Sequence, residues 1–236
     1  MWPFTKKHSI LDSGLLRGAT DYHSHILPGV DDGVRTLERS LEILSEYEKL
    51  GIRRVWLTPH VMEDFPNTPE DLRVRFEELK GIWSGAVELR LAAENMLDNL
   101  FLERLGDERF LPMALPEGTT LLVETSYFNP PMELWQLLDD IRARGFRPLL
   151  AHPERYVYMD NKDYDRLKDM GVALQLNLPS LAGGYGGVVA AKARKMLDAG
   201  RYERFGSDIH RLGAFQDAIG AKVLTLKQID KLELLK

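Results

Sequence analysis

Thr20-Asp21-Tyr22-His23-Ser24-His25-Ile26-Leu27-Pro28-Gly29-Val30-Asp31-Asp32-Gly33 places two histidines one residue apart, with two aspartates in a glycine-bounded turn behind them. If residues 20–25 form a β-strand, the two-residue period puts His23 and His25 on one face. Neutral imidazoles side by side bind one divalent ion, and a carboxylate on the following turn reaches a second. Asp31 and Asp32 compete for that position. The other is a turn residue or the hydrogen-bond partner of a ligand.

Working outward, short apolar runs recur at 53–60, 87–94, 119–125, 147–154, 172–177 and 204–208. Between them lie helical patterns: one capped by Thr36 and stopped by Gly51, and one opened by Thr68-Pro69. Others cover 98–106, 131–144, 160–170, 188–199, 213–220 and 225–235. Residues 1–19 read as an irregular arm, with Trp2 and Phe4 as an oligomer contact, and 20–236 as a single domain. Seven strands alternating with helices predict parallel βα units, an α/β fold whose strand ends converge on one face.

Six of those seven strand ends carry His, Asp or Glu, and five of the six histidines (His23, His25, His60, His152, His210) sit at or just past a strand end. Glu94, Glu124 and Asp208 occupy equivalent places. A lone histidine is more often structural than a ligand; this repetition is not accidental. The imidazole–carboxylate mixture suits Mn²⁺, Fe²⁺ or Zn²⁺ better than Ca²⁺, and the donors outnumber what one ion needs. Arg155, just behind His152, is either a fork for phosphate oxygens or half of a surface salt bridge with Glu154. Arg211 is a weaker candidate of the same kind. The Gly183–Gly187 run fits neither glycine-rich nucleotide fingerprint; it reads as a plain βα connection in preference to a flexible loop beside the site.

Composition narrows the classes. The chain has 236 residues, 44% hydrophobic and 28% charged, with a net charge of -5. That balance argues against a broad nucleic-acid footprint. No apolar run approaches the roughly 20 residues of a membrane span, and the basic N-terminus lacks the apolar stretch of a signal peptide. The absence of cysteine removes disulfides, thiolate zinc sites and cysteine nucleophiles, and fits a cytoplasmic location.

These motifs together resemble the PHP (polymerase and histidinol phosphatase) superfamily, and within it the bacterial capsule-type tyrosine phosphatases. The resemblance rests on the 21–33 stretch, Leu57-Thr58-Pro59-His60, Ala93-Glu94, Glu124, Ala151-His152-Pro153-Glu154-Arg155-Tyr156 and Ser207-Asp208-Ile209-His210. It implies a distorted barrel of seven βα units holding three divalent ions, Mn²⁺ foremost, with Fe²⁺, Zn²⁺ or Mg²⁺ as alternatives. His23, His25, Glu94 and Asp208 would hold the first ion, and Glu94 would bridge to a second held by Glu124 and His152. Asp32, favoured here over Asp31, would hold the third with His60 and His210. Arg155 would bind the phosphoryl group, making Arg155, Asp32 and His60 catalytic and Arg155 and Arg211 substrate contacts. Asn95 and Arg211 depart from residues common in relatives. The implied substrate is phosphotyrosine on a protein, such as a polysaccharide-export tyrosine kinase, in capsule or exopolysaccharide regulation. The competing expectations are a phosphoesterase acting on a sugar phosphate, histidinol phosphate or nucleotide, an amidohydrolase-type barrel, and a non-catalytic metal-stabilised scaffold.

Overall fold

The computed structural model describes residues 6–106 and 110–236; Trp2 and Phe4 lie outside them. Its strands are β1 (Thr20–Ser24), β2 (Arg54–Leu57), β3 (His60–Val61), β4 (Glu88–Leu91), β5 (Glu94–Met96), β6 (Met113–Leu115), β7 (Gly118–Glu124), β8 (Arg147–Ala151), β9 (Ala173–Asn177) and β10 (Arg204–Gly206). All pair in parallel except β6, which folds back on β7. The expected runs 53–60 and 87–94 are each broken in two. Pro59 has no N–H to give the ladder, so the chain changes partners there. As a result β2 pairs with β4, while β3 pairs with β5.

The order β10-β9-β8-β7-β5-β3 continues through these broken staves into β4-β2-β1. Closure onto β10 rests on few bonds. The Asp208 N–H donates to the His23 carbonyl at 2.8 Å, and the His25 N–H donates to the Ile209 carbonyl at 3.2 Å. Asp21, buried between them, accepts from the Ser207 N–H at 2.8 Å and the Tyr47 hydroxyl at 2.7 Å. The result is a distorted seven-staved barrel, as the alternation of strands and helices predicts.

Helices cover its outer face. Helix Leu37–Leu50 starts where the Thr36 hydroxyl accepts from the Arg39 N–H, and it ends at Gly51, whose φ of 77° few other residues adopt. Helix Pro69–Ile82 opens on Thr68 and Pro69 as expected, and helix Asn161–Asp169 carries a full capping box from Asp160 and Asp163. Tyr47, Leu72 and Leu167 from these helices, with Leu138 of helix Leu134–Ala143 and Leu197 of helix Gly187–Asp198, share one buried cluster with Val55, Leu121, Leu150 and Leu176 of the strands.

Three expectations fail locally. The 131–144 helix starts only at Leu134, beyond the Pro130-Pro131 pair. The arm is not wholly irregular: Ile10–Ser13 is a helical turn capped by Ser9, and Ile10, Leu15 and Leu16 join the main buried cluster. Strand β6 and the helical turn Leu178–Leu181 have no counterpart in the pattern reading, because both are short and contain or adjoin proline.

One irregularity shapes the site. Asp21 pairs with Val55 but Ser24 pairs with Leu57, so β1 carries one extra residue between them. A bulge of this kind re-aims side chains. Tyr22 joins the barrel-interior cluster with Trp56 and Leu122, and His23 turns to the same interior one residue later.

Candidate metal centre

At the C-terminal ends of the strands, nine side chains converge. His23, His25, Glu94, Glu124, His152 and Asp208 are buried; His60 and His210 are partly buried, and Asp32 is exposed. The Glu94 carboxylate is central. Its Oε2 lies 3.1 Å from His23 Nε2, 3.3 Å from His25 Nε2 and 3.2 Å from His60 Nδ1, and its Oε1 lies 3.0 Å from His152 Nε2. Glu124 approaches His60 Nδ1 at 3.0 Å and His152 Nε2 at 3.7 Å. Asp208 Oδ1 lies 3.3 Å from His25 Nε2 and 3.6 Å from His23 Nε2.

Asp31 and Asp32 divide the two roles left open by the sequence. Asp32 Oδ1 faces His60 Nε2 at 3.5 Å and His210 Nε2 at 3.4 Å. Asp31 turns the other way: its Oδ2 accepts from His25 Nδ1 at 2.8 Å and from the His60 N–H at 3.1 Å.

Three groups of donors are close enough to share an ion: His25 with Asp32, His60 and His210; His23 with His25 and Glu94; and His60 with Glu94 and Glu124. This grouping places His25 and His60 in two sets each, where the resemblance implies one, and it leaves His152 and Asp208 at the margins.

The donor chemistry fits cations. Gln175 Oε1, which can only accept, sits 2.9 Å from His23 Nδ1 and so holds the proton there. Asp31 does the same for His25. Both rings in the neutral form then present a lone pair at Nε2, and these two atoms are 3.0 Å apart. Lone pairs so close, ringed by carboxylates, call for a positive charge between them. Burial disfavours a charged His23, but Glu94 and Asp208 outweigh it and raise its pKa to about 9. Burial likewise works against an ionised Glu94, yet His23 and His60 hold it well below the usual carboxylate range. Asp32 is pulled down to about 2, chiefly by His210. Glu94 Oε2, Glu124 Oε1 and His60 Nδ1 are buried and crowd one another without aligning as hydrogen bonds among the described residues, which is costly unless an ion satisfies them.

The local backbone is strained to make this arrangement. His152 (φ 36°) and Asp208 (φ 50°) are the non-glycine residues in the left-handed region among the described residues, each costing about 1–3 kcal/mol. Such outliers gather where side-chain aim matters more than stability.

Arg155 does not pair with Glu154. Glu154 is buried and accepts from the Asn177 N–H at 3.0 Å and the Tyr202 hydroxyl at 3.2 Å. The Arg155 guanidinium lies instead between the rings of Tyr127 (4.1 Å) and Tyr185 (4.0 Å), with Nη1 donating to Asp208 Oδ2 at 2.9 Å. Asn177 Nδ2 and the Tyr185 hydroxyl donate to the same oxygen, leaving Oδ1 for the histidines. Arg155 and Tyr185 line a cavity of about 690 Å³ that opens over His60, Glu94 and Asp208, with Arg211 exposed at its edge. Gln175, Asn177, Tyr127 and Tyr185 were not singled out from the sequence. Only Tyr185, inside the glycine-rich loop, had any local signal.

A family model described as capsular polysaccharide synthesis, CpsB/CapC, matches residues 19–227. The chain belongs to this family. It is 31% identical over 172 residues to the tyrosine-protein phosphatase CpsB of Streptococcus agalactiae, covering 66% of each chain. To the tyrosine-protein phosphatase YwqE of Bacillus subtilis it is 27% identical over 198 residues, covering 81% of this chain and 77% of that one. A chain from the crystal structures of YwqE from Bacillus subtilis and CpsB from Streptococcus pneumoniae, described as metal-dependent tyrosine phosphatases, superposes with a TM-score of 0.75 at 25% identity over 84% of each. A zinc-bound amidohydrolase from Burkholderia ambifaria superposes at 0.50 with 11% identity over 99% of this chain and 88% of that one, which shows a related barrel fold alone. Among the described residues no helix is long and apolar enough to cross a membrane.

Proposed function

We propose that this CpsB/CapC family member is a metal-dependent phosphatase that hydrolyses phosphotyrosine on proteins, in the control of capsular or exopolysaccharide synthesis. The observation that carries the proposal is the ring of buried imidazoles and carboxylates around Glu94, with lone pairs and orphaned oxygens aimed at common points. The relatives named tyrosine-protein phosphatases support it. His23, His25, Glu94 and Asp208 would hold one ion, Glu94, Glu124 and His152 a second, and Asp32, His60 and His210 a third, with Mn²⁺ the first choice. Ions held there would supply Lewis acidity toward a phosphoryl group and a nucleophilic water at neutral pH.

The chain's own residues do the rest. Glu94 and Asp208, buried at the floor of the cavity, would balance the charge of bound cations. Arg155, held flat between Tyr127 and Tyr185, offers its unpaired edge to the phosphoryl oxygens and offsets charge that builds on them during in-line displacement. Arg211 contacts the substrate from the cavity's edge. No residue need be phosphorylated, consistent with a chain that has no cysteine. A phosphotyrosyl protein such as a polysaccharide-export tyrosine kinase is the proposed partner, and the cytoplasm the proposed location.

The test is turnover on a phosphotyrosyl peptide and on para-nitrophenyl phosphate, using chelated protein re-supplied with Mn²⁺, Fe²⁺, Zn²⁺ or Mg²⁺ in turn. Metal-restored cleavage of the peptide is the expected outcome and ranks the ions. Restored cleavage of the small ester alone moves the substrate to a small phosphate monoester. Full activity after exhaustive chelation overturns the metal-dependent reading.

A further inference from the structure

A second cavity, of about 720 Å³, adjoins the metal centre and shares Asp32, His210 and Arg211 with the first. It runs from Asp32 along the turn Gly33-Val34-Arg35 to helix Leu37–Leu50 on one side, and along the start of helix Leu212–Gly220 on the other. Its charges do not cancel. Of its two carboxylates, Glu42 is taken by Arg39 at 2.5 Å, and Asp32 faces His60 and His210. Arg35 and Arg211 are exposed, and neither makes an ion pair or side-chain hydrogen bond among the described residues. On a chain of net charge -5, the wall leading away from the metal centre is therefore locally cationic.

We infer that this cleft receives acidic side chains flanking the phosphotyrosine, so that the preferred substrate is an acidic phosphotyrosyl segment. The inference rests on the phosphatase reading above. With the phosphate at the metal centre, the tyrosyl ring holds the peptide backbone out at the rim, and an extended backbone advancing about 3.3 Å per residue carries the flanking side chains along the adjoining cleft that begins at Asp32 and His210. The two free guanidiniums stand on different elements and remain in solvent. That suits two separate carboxylates at a solvated rim better than one phosphate, which favours a convergent, buried fork. Charges placed this way select partners and speed encounter more than they add affinity.

The experiment compares kcat/KM for three phosphotyrosyl peptides, with Asp and Glu, Ala, or Lys in the positions on both sides of the tyrosine, and for para-nitrophenyl phosphate. The metal-loaded native protein and Arg35→Glu are measured at low and high salt. The native protein is expected to favour the acidic peptide over the lysine peptide by about fivefold, with the preference fading at high salt. Arg35→Glu is expected to abolish or reverse that preference while leaving the small ester unchanged. Equal turnover of the three peptides by the native protein overturns the acidic cleft and leaves the phosphatase reading intact. So does an Arg35→Glu loss equal on all four substrates. Absence of turnover on every phosphotyrosyl peptide, with the small ester still cleaved, overturns the phosphotyrosine reading and the cleft's role with it.

Discussion

The barrel interior has two ends built from the same staves. At one end Tyr22, Trp56, Ala92, Met113, Leu122, Leu149, Ala151 and Ala173 form a dry plug. At the other, two residues further along the inward column, Ala92 gives way to Glu94, Leu122 to Glu124, and Ala173 to Gln175. The strand period of two makes this a change of chemistry within one face. Where that period would miss, the backbone is bent to comply: a bulge in β1 turns His23 inward beside Tyr22, and a left-handed residue aims His152 after Ala151. One end is apolar and held by packing, with the Trp56 indole N–H its one buried polar side-chain atom lacking a partner among the described residues. The other holds buried oxygens and nitrogens, Glu94 Oε2, Glu124 Oε1 and His60 Nδ1 among them, that bound cations would satisfy.

Glu94→Gln breaks the polar end at its centre. Glu94 faces four histidines, so removing its charge is expected to lower metal affinity and turnover by at least about 100-fold, above what the loss of an outer partner costs. Metal content by atomic absorption and turnover on para-nitrophenyl phosphate check this; retention of both would show that Glu94 does not hold an ion. Gln175→Leu tests the next layer. Without Gln175 Oε1 the proton of His23 is no longer fixed on Nδ1, and metal affinity is expected to fall by about tenfold, read by competition with a chelating dye. Unchanged affinity would mean that neighbouring carboxylates alone orient the ring.

Much of this was legible in the chain. The His-x-His strand and the carboxylate or histidine closing most apolar runs marked the polar end, because parallel staves bring such ends together whatever lies between them. The residues alone left Asp31 and Asp32 open, and only the resemblance favoured Asp32: adjacent aspartates in one turn differ only in where the turn points them. The β1 bulge was hidden because a one-residue slip leaves no mark on composition, yet it decides that Tyr22 and His23 share the interior. The choice between a phosphate fork and a Glu154 salt bridge for Arg155 was open in the residues, because sequence neighbours in a turn need not face each other. Pro153–Arg155 is a 3₁₀ turn that buries Glu154 toward Tyr202 and sends Arg155 over the site. The Tyr127 and Tyr185 rings that hold Arg155 come from two other loops, and such long-range convergence has no local period to betray it.

Leu122→Ala probes whether the two ends are independent. Leu122 is 1% exposed in the plug, one step inward of Glu124 on β7, and β7 is paired with β5, β6 and β8. Truncating a buried leucine removes transfer energy and leaves a cavity that a close-packed interior fills only in part, so a loss of about 2–5 kcal/mol in unfolding free energy is expected from denaturant melts. Leu122 is the register partner of Glu94, so the two ends touch here; if the plug nevertheless only supports the staves, metal affinity and turnover per folded molecule should stay within about threefold of the native protein. A matching fall in metal affinity would mean that the cavity lets β7 relax and draws Glu124 away from His60 and His152. The strained backbone at His152 makes that outcome informative. A site held by left-handed residues tolerates little movement of its frame, and rigidity in the dry end would then be what keeps the polar end aimed.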